Sequence, residues 1–416
     1  MGMTITEKIL AHAAGRKEVK AGEIVTAKIE DMIIQDATGA MTYYIFRDHG
    51  FRVKNPEHVH VFIDHFAPPC TRVYAEKVQE NIKFCEDYGT QLHYMQGISH
   101  QFMLESGTAK PGKVYVGADS HTVSYGAVGA FSTGIGSTEA CAVMATGELW
   151  FKVPQAIRVH ISGSLPKYVM SKDLILKVLS ITGANGATYK TLEFTGDLVH
   201  QLSVSSRFTM CNMSVEGGAK NAIIEPDEIV ADFMRERGVD ESEMMFYQSD
   251  KDAEYCRTIE INADELDPMV AVPFSPANGV PVGEVGKVPL NQILMGACTN
   301  GRLEDIAVIA GILKGKKIKH GLKCILYPAS NVVYEAAARE GYLETLAEAG
   351  CIVGNPGRGA CGIQNPLLPG ENCLATNNRN YVGRMGSPEG RVYVASPAVA
   401  AASALTGYIT DPRETM

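Results

Sequence analysis

The chain has 416 residues, 45% of them hydrophobic, and a formal net charge of −9. This length exceeds what one hydrophobic core organises, so two or three domains are expected. The acidic balance argues against a nucleic-acid partner, and the longest apolar runs fall short of the roughly 20 residues that cross a membrane. The first residues lack the apolar segment of a secretory signal, which predicts a cytoplasmic protein.

Proline and glycine punctuation divides the sequence into three segments, 1–155, 156–285 and 286–416. In the first segment, a strand predicted at Lys113–Val116 runs into a glycine-rich turn, and a helix follows from about Ser137. The ten cysteines of the chain are spread along it without the close spacing of a small disulfide-bonded domain. In a reducing cytoplasm this distribution favours core thiols or metal ligands over disulfides.

The second segment opens on an alternating pattern, from Ala156 to Ser162, that predicts a strand. A helix is predicted next over Ser171–Leu179, with Ser171 as its N-cap. The third segment alternates predicted strands and helices, in the order Gln292–Met295, Asp305–Lys314, Cys324–Tyr327 and Val332–Glu340. This alternation favours a layered α/β fold with functional sites at the ends of strands.

The first chemical motif is Asp119-Ser120-His121, which the strand of the first segment delivers into the glycine-rich turn. Glycines let a ligand approach the backbone there, although a turn followed by a helix cap explains the same pattern. Other acids, amides and histidines stand in similar surroundings: Gln35, Asp64, His65, His100, Asn212 and Glu216. Several histidines among acids are typical of a site that transfers protons.

A second motif near the C-terminal end contains Arg379 and Arg384. Guanidinium groups bind carboxylates through two parallel hydrogen bonds and stay charged, so this pair is suited to carboxylate recognition. Surface ion pairs explain the spacing equally well. A small substrate with carboxylate groups is the interpretation that fits both motifs.

Two further segments, Cys298–Asn300 and Pro356–Cys361, contain cysteines. With the motifs above, and in the same order, they resemble the large subunits of the aconitase superfamily, in particular those of the isopropylmalate dehydratase and homoaconitase type. The resemblance extends over Ile29–Arg413, nearly the whole chain. It implies an α/β fold in which the three segments are α/β/α layered subdomains around a central active-site cleft.

The resemblance also implies an activity, that of a hydro-lyase that removes or adds water on a small hydroxy di- or tricarboxylic acid. The catalytic pairs that it implies are Asp64 with His65, Asp119 with His100, and Glu216 with His121. The substrate-binding residues would be Gln35, Ser120, Arg379 and Arg384, and the residues lining the cofactor pocket Asn212, Asn300 and Asn378.

The cofactor of the family is a [4Fe-4S] cluster held by three cysteines, with one iron open to the substrate. Cys298 and Cys361 match two of the ligands, but Arg358 stands in the place of the third. Arginine stays protonated and offers no lone pair to a metal. Cys351 and Cys373 are the nearest possible replacements, and the chain is expected to bind an unusual cluster, another metal or none.

The family pattern also includes a swivelling domain with a catalytic serine and a further arginine, and no segment after Arg413 matches it. A separate small subunit, and hence a hetero-oligomer, is therefore expected. Three functions stay open at this point. The chain could be a hydro-lyase in which Arg358 faces a substrate carboxylate or the departing oxygen, a cluster enzyme with an unusual third ligand, or a non-catalytic binding or regulatory homologue. RNA-binding members of the superfamily are known, but the negative charge of this chain weighs against that role.

Overall fold

The computed structural model of the protein describes residues 2–361 and 364–415, without the side chains of residues 360 and 361. The chain forms two compact units. Unit 1 comprises Met1–Ile161 and Ala187–Ile261, and unit 2 comprises Ser162–Gly186 and Asn262–Met416.

The strands, in chain order, are β1 (Ile24–Lys28), β2 (Asp31–Gln35), β3 (Val59–Ile63), β4 (Gln91–Tyr94), β5 (Val114–Gly117), β6 (Phe131–Gly134), β7 (Glu148–Lys152), β8 (Gln155–Ser162), β9 (Lys190–Thr195), β10 (Asn221–Ile224), β11 (Arg257–Asn262), β12 (Met269–Ala271), β13 (Gly279–Pro281), β14 (Gln292–Gly296), β15 (Lys323–Tyr327), β16 (Ile352–Val353), β17 (Asn372–Ala375) and β18 (Arg391–Ala395). The α-helices are α1 (Ile5–Ala13), α2 (Asp36–Asp48), α3 (Arg72–Tyr88), α4 (Ser99–Glu105), α5 (Ser137–Thr146), α6 (Ser171–Thr182), α7 (Val204–Met213), α8 (Glu228–Arg235), α9 (Val282–Val285), α10 (Leu303–Leu313), α11 (Asn331–Arg339), α12 (Tyr342–Ala349) and α13 (Pro397–Thr406).

Unit 1 is built on a parallel sheet with the strand order β4-β3-β2-β5-β6. Every residue of β2, β3 and β5 is buried, as expected for parallel strands covered on both faces. The unit also contains a sheet of order β10-β9-β8-β11 and an antiparallel ribbon of β1 with β7. The central parallel sheet is the element that positions the predicted catalytic residues.

Unit 2 is built on a mixed sheet with the order β13-β12-β18-β17-β14-β15-β16. Strands β18, β17, β14, β15 and β16 run parallel, whereas β12 and β13 form an antiparallel edge. Its core includes the apolar side chains of β14 and β15 packed with those of α10 and α13. The layered α/β fold that the alternation of elements predicts is therefore observed.

The elements predicted from local pattern are mostly found within one or two residues of their expected bounds, as β8 and β15 show. One prediction is wrong: the N-cap of α6 is Met170 and not Ser171. The Asp173 carboxylate accepts a hydrogen bond from the Met170 amide at 2.7 Å. The helix therefore begins at Ser171, whose side chain is buried.

The residues expected to form the second subdomain are shared between the two units. Strands β8 to β11 lie in unit 1 apart from the last residue of β8 and of β11, while α6 lies in unit 2, and β12 and β13 join the sheet of unit 2. The finer division at residues 155 and 285 stays a prediction. In residues 2–361 and 364–415, no helix is both long enough and apolar enough to span a membrane.

Candidate active site

The parallel sheet of unit 1 carries predicted catalytic side chains just beyond the carboxyl ends of its strands. Asp64 directly follows β3, Asp119 follows β5, and Gln35 is the last residue of β2. His100 lies in the first turn of α4. Ligands of parallel α/β sheets bind at this edge, so these groups stand where a site is expected.

The first predicted pair is Asp64 with His65. Asp64 Oδ1 lies 2.7 Å from His65 Nδ1, and Asp64 Oδ2 accepts a hydrogen bond from the Ser99 amide at 2.9 Å. The main-chain amides of His65 and Phe66 donate to the Asp36 carboxylate at 3.1 and 2.8 Å. The ligand atoms of Asp36, Asp64 and His65 all lie within 4.8 Å of one another, so the group could also bind a cation.

The second pair is Asp119 with His100. His100 is fully buried, and its Nε2 lies 3.0 Å from Asp119 Oδ1, while its Nδ1 lies 3.3 Å from the Tyr125 hydroxyl. The same Asp119 oxygen accepts a hydrogen bond from the His121 amide at 2.7 Å. One carboxylate oxygen therefore fixes both the ring of His100 and the main chain of His121.

The third pair is His121 with Glu216, which a 3₁₀ turn at Ser214–Gly217 presents. His121 Nε2 lies 2.9 Å from Glu216 Oε1, and His121 Nδ1 lies 3.5 Å from the Ser120 hydroxyl. All three pairs predicted from the sequence are thus hydrogen-bonded. Their catalytic roles stay predictions.

Two predicted ligand-binding amides of unit 1 are fully buried. Gln35 Nε2 donates to the Ser99 hydroxyl at 2.6 Å, and Asn212 Nδ2 donates to the Ser124 hydroxyl at 2.9 Å. Sequence reasoning assigned no role to the residues that hold these groups in place. Hydroxyl partners of this kind have no distinctive spacing in the sequence.

In unit 2, two loops meet where the parallel strands have their carboxyl ends. We call this end of the sheet its carboxyl edge, and the opposite end its amino edge. We call residues 297–302, which follow β14, the cysteine loop, and residues 376–380, which follow β17, the asparagine loop. The Gly296 amide donates to Thr376 Oγ1 at 2.9 Å, which joins the starts of the two loops. Ala297 has a φ of +67°, a left-handed conformation that turns the chain sharply.

Cys298 is buried in this turn. Asn378 Nδ2 donates to Cys298 Sγ at 3.3 Å, so the asparagine loop contacts the sulfur directly. Arg302 Nη1 donates to the Cys298 carbonyl at 2.8 Å and Nη2 donates to the Thr299 carbonyl. Asn377 is fully buried, and within the described residues neither polar atom of its side chain has a hydrogen-bond partner. Buried amides are normally hydrogen-bonded, so Asn377 is suited to contact a bound polar group.

Asn300 connects the cysteine loop to two buried charges. Its Oδ1 accepts a hydrogen bond from Lys172 Nζ at 3.2 Å, and its Nδ2 donates to Asp305 Oδ1 at 2.9 Å. Burial lowers the pKa of Lys172 to about 7, against the opposing effects of Asp305 and Cys298. Burial also raises the pKa of Asp305. Sequence reasoning missed Lys172, because nothing in its helical surroundings distinguishes it from a surface lysine.

Arg358 is buried at the start of a 3₁₀ turn at Arg358–Cys361. The turn packs against β14 and β15, and a β-carbon at Gly359 would collide with the Tyr327 ring. Asn365 Nδ2 donates to the Tyr327 hydroxyl at 2.9 Å and to the Gly359 carbonyl at 3.4 Å. Because Tyr327 pairs with Gly296 at the end of β14, the Arg358 turn and the cysteine loop lie at the same edge. The predicted ligand Cys361 has its side chain outside the described residues.

Cys351 and Cys373 do not lie at this edge. Cys351 directly precedes β16, and its Sγ lies 3.9 Å from the Sγ of Cys324, near the start of β15. Cys373 pairs with Gln292, the first residue of β14. These thiols lie about 10 Å or more along the strands from the cysteine loop, at ~3.3 Å per residue. Burial raises the pKa of Cys373 to about 12, which disfavours the thiolate that a metal requires.

The residues of unit 2 therefore do not fit a cluster held by three cysteines. Arg358, at the predicted third ligand position, is a buried guanidinium, and Cys351 and Cys373 lie at the opposite edge of the sheet.

The two predicted substrate arginines follow β17 and are half-buried. The Arg384 guanidinium carbon lies 5.6 Å from the centre of the Tyr381 ring, and Arg384 Nη1 donates to the Tyr381 hydroxyl at 3.3 Å. Arg379 lies in the asparagine loop beside Asn378 and the buried Asn380. Carboxylate binding by both arginines stays a prediction.

Comparison with known proteins identifies the class to which this fold and these residues belong. The model of the aconitase family (aconitate hydratase) matches residues 7–289 and 283–407. The crystal structure of Thermococcus kodakaraensis aconitase X in its holo-form has a similar fold, with a TM-score of 0.54 over 88% of each chain at 14% identity. The chain belongs to the aconitase family of hydro-lyases.

Closer relatives match along nearly the whole chain. The 3-isopropylmalate dehydratase large subunit 1 of Methanopyrus kandleri is 44% identical over 99% of both chains. The 3-isopropylmalate dehydratase large subunit of Moorella thermoacetica is 45% identical over 100% of this chain and 99% of its own. The family, the α/β fold and the enzyme class predicted from the sequence are confirmed. The family generally implies a [4Fe-4S] cluster, and the names of the relatives imply a small-subunit partner.

Proposed function

We propose that the chain is the large subunit of a two-subunit hydro-lyase that acts on a small hydroxy di- or tricarboxylic acid of the 3-isopropylmalate type. Relatives with this name are 44% and 45% identical over nearly their full length. A small-subunit partner, as the names of these relatives imply, would complete the site.

The observation that carries the proposal is the set of three partly buried acid–histidine pairs in unit 1. Dehydration of a hydroxy acid needs a proton at the departing hydroxyl, because hydroxide is a poor leaving group. A histidine whose ring is held by a carboxylate has a fixed tautomer and a stabilised protonated form. A binding or regulatory protein has no need of such pairs in a buried position.

Each pair presents its histidine in a defined way. Asp64 holds Nδ1 of His65, so Nε2 is the ring atom that we assign to proton transfer. Asp119 holds Nε2 of His100, and Glu216 holds Nε2 of His121, which leaves the Nδ1 side facing Ser120. We assign proton transfer to the departing hydroxyl to these imidazoles. The arginines of the asparagine loop and its neighbourhood would bind the carboxylates.

For the cofactor we propose the version without a conventional cluster. Arg358 would face a substrate carboxylate or the departing oxygen, where a buried guanidinium stabilises developing negative charge. The burial of Arg358 beside the cysteine loop supports this assignment. So does the position of Cys351 and Cys373 at the opposite edge, since neither can replace the missing ligand without moving.

Activity is tested on the purified chain mixed with the small subunit of a relative's 3-isopropylmalate dehydratase. The absorbance of the unsaturated product would be followed with 3-isopropylmalate, dimethylmalate and homocitrate as substrates. Turnover of at least one hydroxy acid, dependent on both subunits, is expected. No turnover of any of them, together with salt-dependent RNA binding by the chain, would favour the non-catalytic homologue.

Cofactor content is tested separately, on protein purified without oxygen. Iron and acid-labile sulfide per chain would be measured with the visible spectrum, beside a three-cysteine relative as control. Iron and sulfide near zero in this chain, with a full cluster in the control, is the expected result. Stoichiometric iron and sulfide would contradict the cluster-free version and favour an unusual third ligand.

A further inference from the structure

Lys172 is a fully buried lysine in the first turn of α6. Lysine is almost never buried completely unless its charge is paired or fully hydrogen-bonded. Lys172 Nζ donates to Asn300 Oδ1 at 3.2 Å, to the Thr376 carbonyl at 3.0 Å and to the Asn377 carbonyl at 2.6 Å. An ammonium group has three N–H donors, and here each one has an oxygen acceptor.

These acceptors belong to two separate loops. Asn300 lies in the cysteine loop, and Thr376 and Asn377 open the asparagine loop. Two of the acceptors are main-chain carbonyls, so the lysine fixes the backbone just before Asn378, whose amide contacts the Cys298 sulfur. The contact of Lys172 therefore determines where the asparagine loop presents its side chains.

The main chain that carries Lys172 is held in place by hydrogen bonds of the neighbouring residue. The next residue, Asp173, accepts hydrogen bonds from the Met170 and Met269 amides, both at 2.7 Å. This carboxylate caps α6 and attaches the helix start to β12 of the sheet. The start of α6 is thus attached to the sheet, and this attachment fixes the position from which Lys172 reaches the two loops.

Within the cysteine loop, Asn300 is hydrogen-bonded to a further residue besides Lys172. Asn300 Nδ2 donates to Asp305 Oδ1 at 2.9 Å, and Asp305 Oδ2 accepts from the Arg302 amide at 3.1 Å. Arg302 in turn donates to the Cys298 carbonyl. Lys172 is therefore the donor at the end of a chain of contacts that runs through the whole cysteine loop.

We propose that Lys172 is a positioning residue, whose ammonium group joins the cysteine loop to the asparagine loop and so orients Asn378 and Arg379 toward the substrate. The effect on catalysis rests on the proposed hydro-lyase function. The effect on the loops does not, so the two can fail separately.

The test compares Lys172→Met with Lys177→Met. Methionine keeps the length of the side chain and removes the three donors. Lys177 is a half-buried lysine of the same helix that takes no part in the loop contacts described above, so it controls for the loss of a lysine from α6. Amide hydrogen exchange, measured by mass spectrometry on peptides, reports each loop independently of any substrate.

In Lys172→Met, peptides covering both loops are expected to exchange at least ~10-fold faster, while peptides of α13 and of unit 1 keep their rates. With 3-isopropylmalate, or whichever acid is turned over, KM is expected to rise and kcat to fall. Lys177→Met should change neither exchange nor kinetics. Unchanged loop exchange in Lys172→Met would overturn the proposal, and so would equal acceleration throughout unit 2, because the lysine would then support only the fold.

A second variant keeps the proposal testable if Lys172→Met does not fold. Asn300→Ala removes one of the three acceptors and leaves the two carbonyls of the asparagine loop. Faster exchange confined to the cysteine loop is expected. If the asparagine loop exchanged faster and the cysteine loop did not, the proposed connection would be wrong. Loop effects without any turnover in the wild-type protein would refute the proposed function and leave this inference standing.

Discussion

The two units hold their buried polar groups in different ways. In unit 1, each predicted catalytic histidine contacts a carboxylate, which is adjacent in the chain for His65 with Asp64 and 95 residues away for His121 with Glu216. In unit 2, the cysteine and asparagine loops surround cations that donate mostly to main-chain carbonyls, as Lys172 and Arg302 do. The groups that we propose for proton transfer therefore lie in unit 1, and the buried cations that hold loops together lie in unit 2.

The predicted departure from the family pattern lies in unit 2. By the resemblance, the acid–histidine pairs of unit 1 match the family motifs, whereas Arg358 of unit 2 stands where a cluster ligand is expected. A buried arginine adds one more cation to an edge that already uses cations.

The largest expected effect is on the pairs of unit 1. Asp119→Asn removes the charge that orients His100 and keeps the size of the side chain. We expect kcat/KM to fall by ~10²–10⁴, the usual contribution of a positioned proton-transfer group. Asp48→Asn is the matched control, since Asp48 lies 4.0 Å from His49 in an exposed pair. A loss below tenfold in Asp119→Asn would mean that this pair is structural.

The next largest effect on activity is expected from a change of Arg358 in unit 2. Arg358→Cys restores the third cysteine of the family pattern and removes the guanidinium. Without reconstitution we expect activity to fall by ~10²–10³, the usual effect of losing one electrostatic stabiliser. After anaerobic reconstitution with iron and sulfide, this variant should bind a cluster that the wild-type chain does not bind.

The control for that experiment is Arg339→Cys, which adds a cysteine at an exposed position of α11. It should gain no stoichiometric iron and keep its activity. Equal iron in both variants would show that any extra thiol suffices. Full activity in unreconstituted Arg358→Cys would exclude a role of the guanidinium in the reaction.

Much of the fold could be predicted from the sequence, because alternating strands and helices have periodic signals. The strand from Ala156 to Ser162 and the helix from Ser137 are found where the pattern places them. The error at the start of α6 has a physical cause. Serine is the better cap by preference, but the Asp173 carboxylate binds the Met170 amide and moves the start of the helix.

Local spacing alone groups only those candidate site residues that are close along the chain, whereas the pairing of Glu216 with His121 was implied by the family resemblance. Asp64 and His65 are adjacent, and the motif residues Asp119 and His121 stand in one turn. Lys172 could not be found in this way, because its acceptors lie 128 to 205 residues away along the chain. The position of Cys351 could not be predicted either, because only the strand register shows that it lies at the amino edge of the sheet, away from the cysteine loop.

A smaller effect, on the pH dependence of stability, is expected from Glu193, a buried acid of unit 1 that is not paired with a histidine. Glu193 is a fully buried acid whose hydrogen bonds come from the hydroxyls of Tyr255 and Ser249, at 2.5 and 2.8 Å, and not from a histidine. Burial raises its pKa from 4.5 to about 7. The folded state therefore binds the proton more tightly than the unfolded state, so stability is lost as pH rises from about 4.5 to 7 and is level above.

Glu193→Gln should remove this dependence. Relative to wild type, we expect the variant to gain on the order of 2–3 kcal/mol in free energy of unfolding between pH 5 and 8. Urea unfolding at several pH values measures this difference in the free energy of unfolding. Glu236→Gln is the control, because Glu236 is exposed. A flat difference between Glu193→Gln and wild type across this range would mean that the Glu193 carboxyl titrates in the folded protein as it does in the unfolded chain.

The smallest effect is expected at Cys351, and it tests the edge assignment on which the cluster-free version depends. Cys351→Ala removes a buried sulfur that lies 3.9 Å from that of Cys324. The small cavity should cost about 1 kcal/mol of stability. Iron content and turnover should not change, because the thiol lies at the amino edge of the sheet, away from Cys298. If the wild-type chain did contain iron, contrary to the cluster-free version, its loss in Cys351→Ala would mean that the β16 segment reaches the cysteine loop, and the assigned position of Cys351 would be wrong.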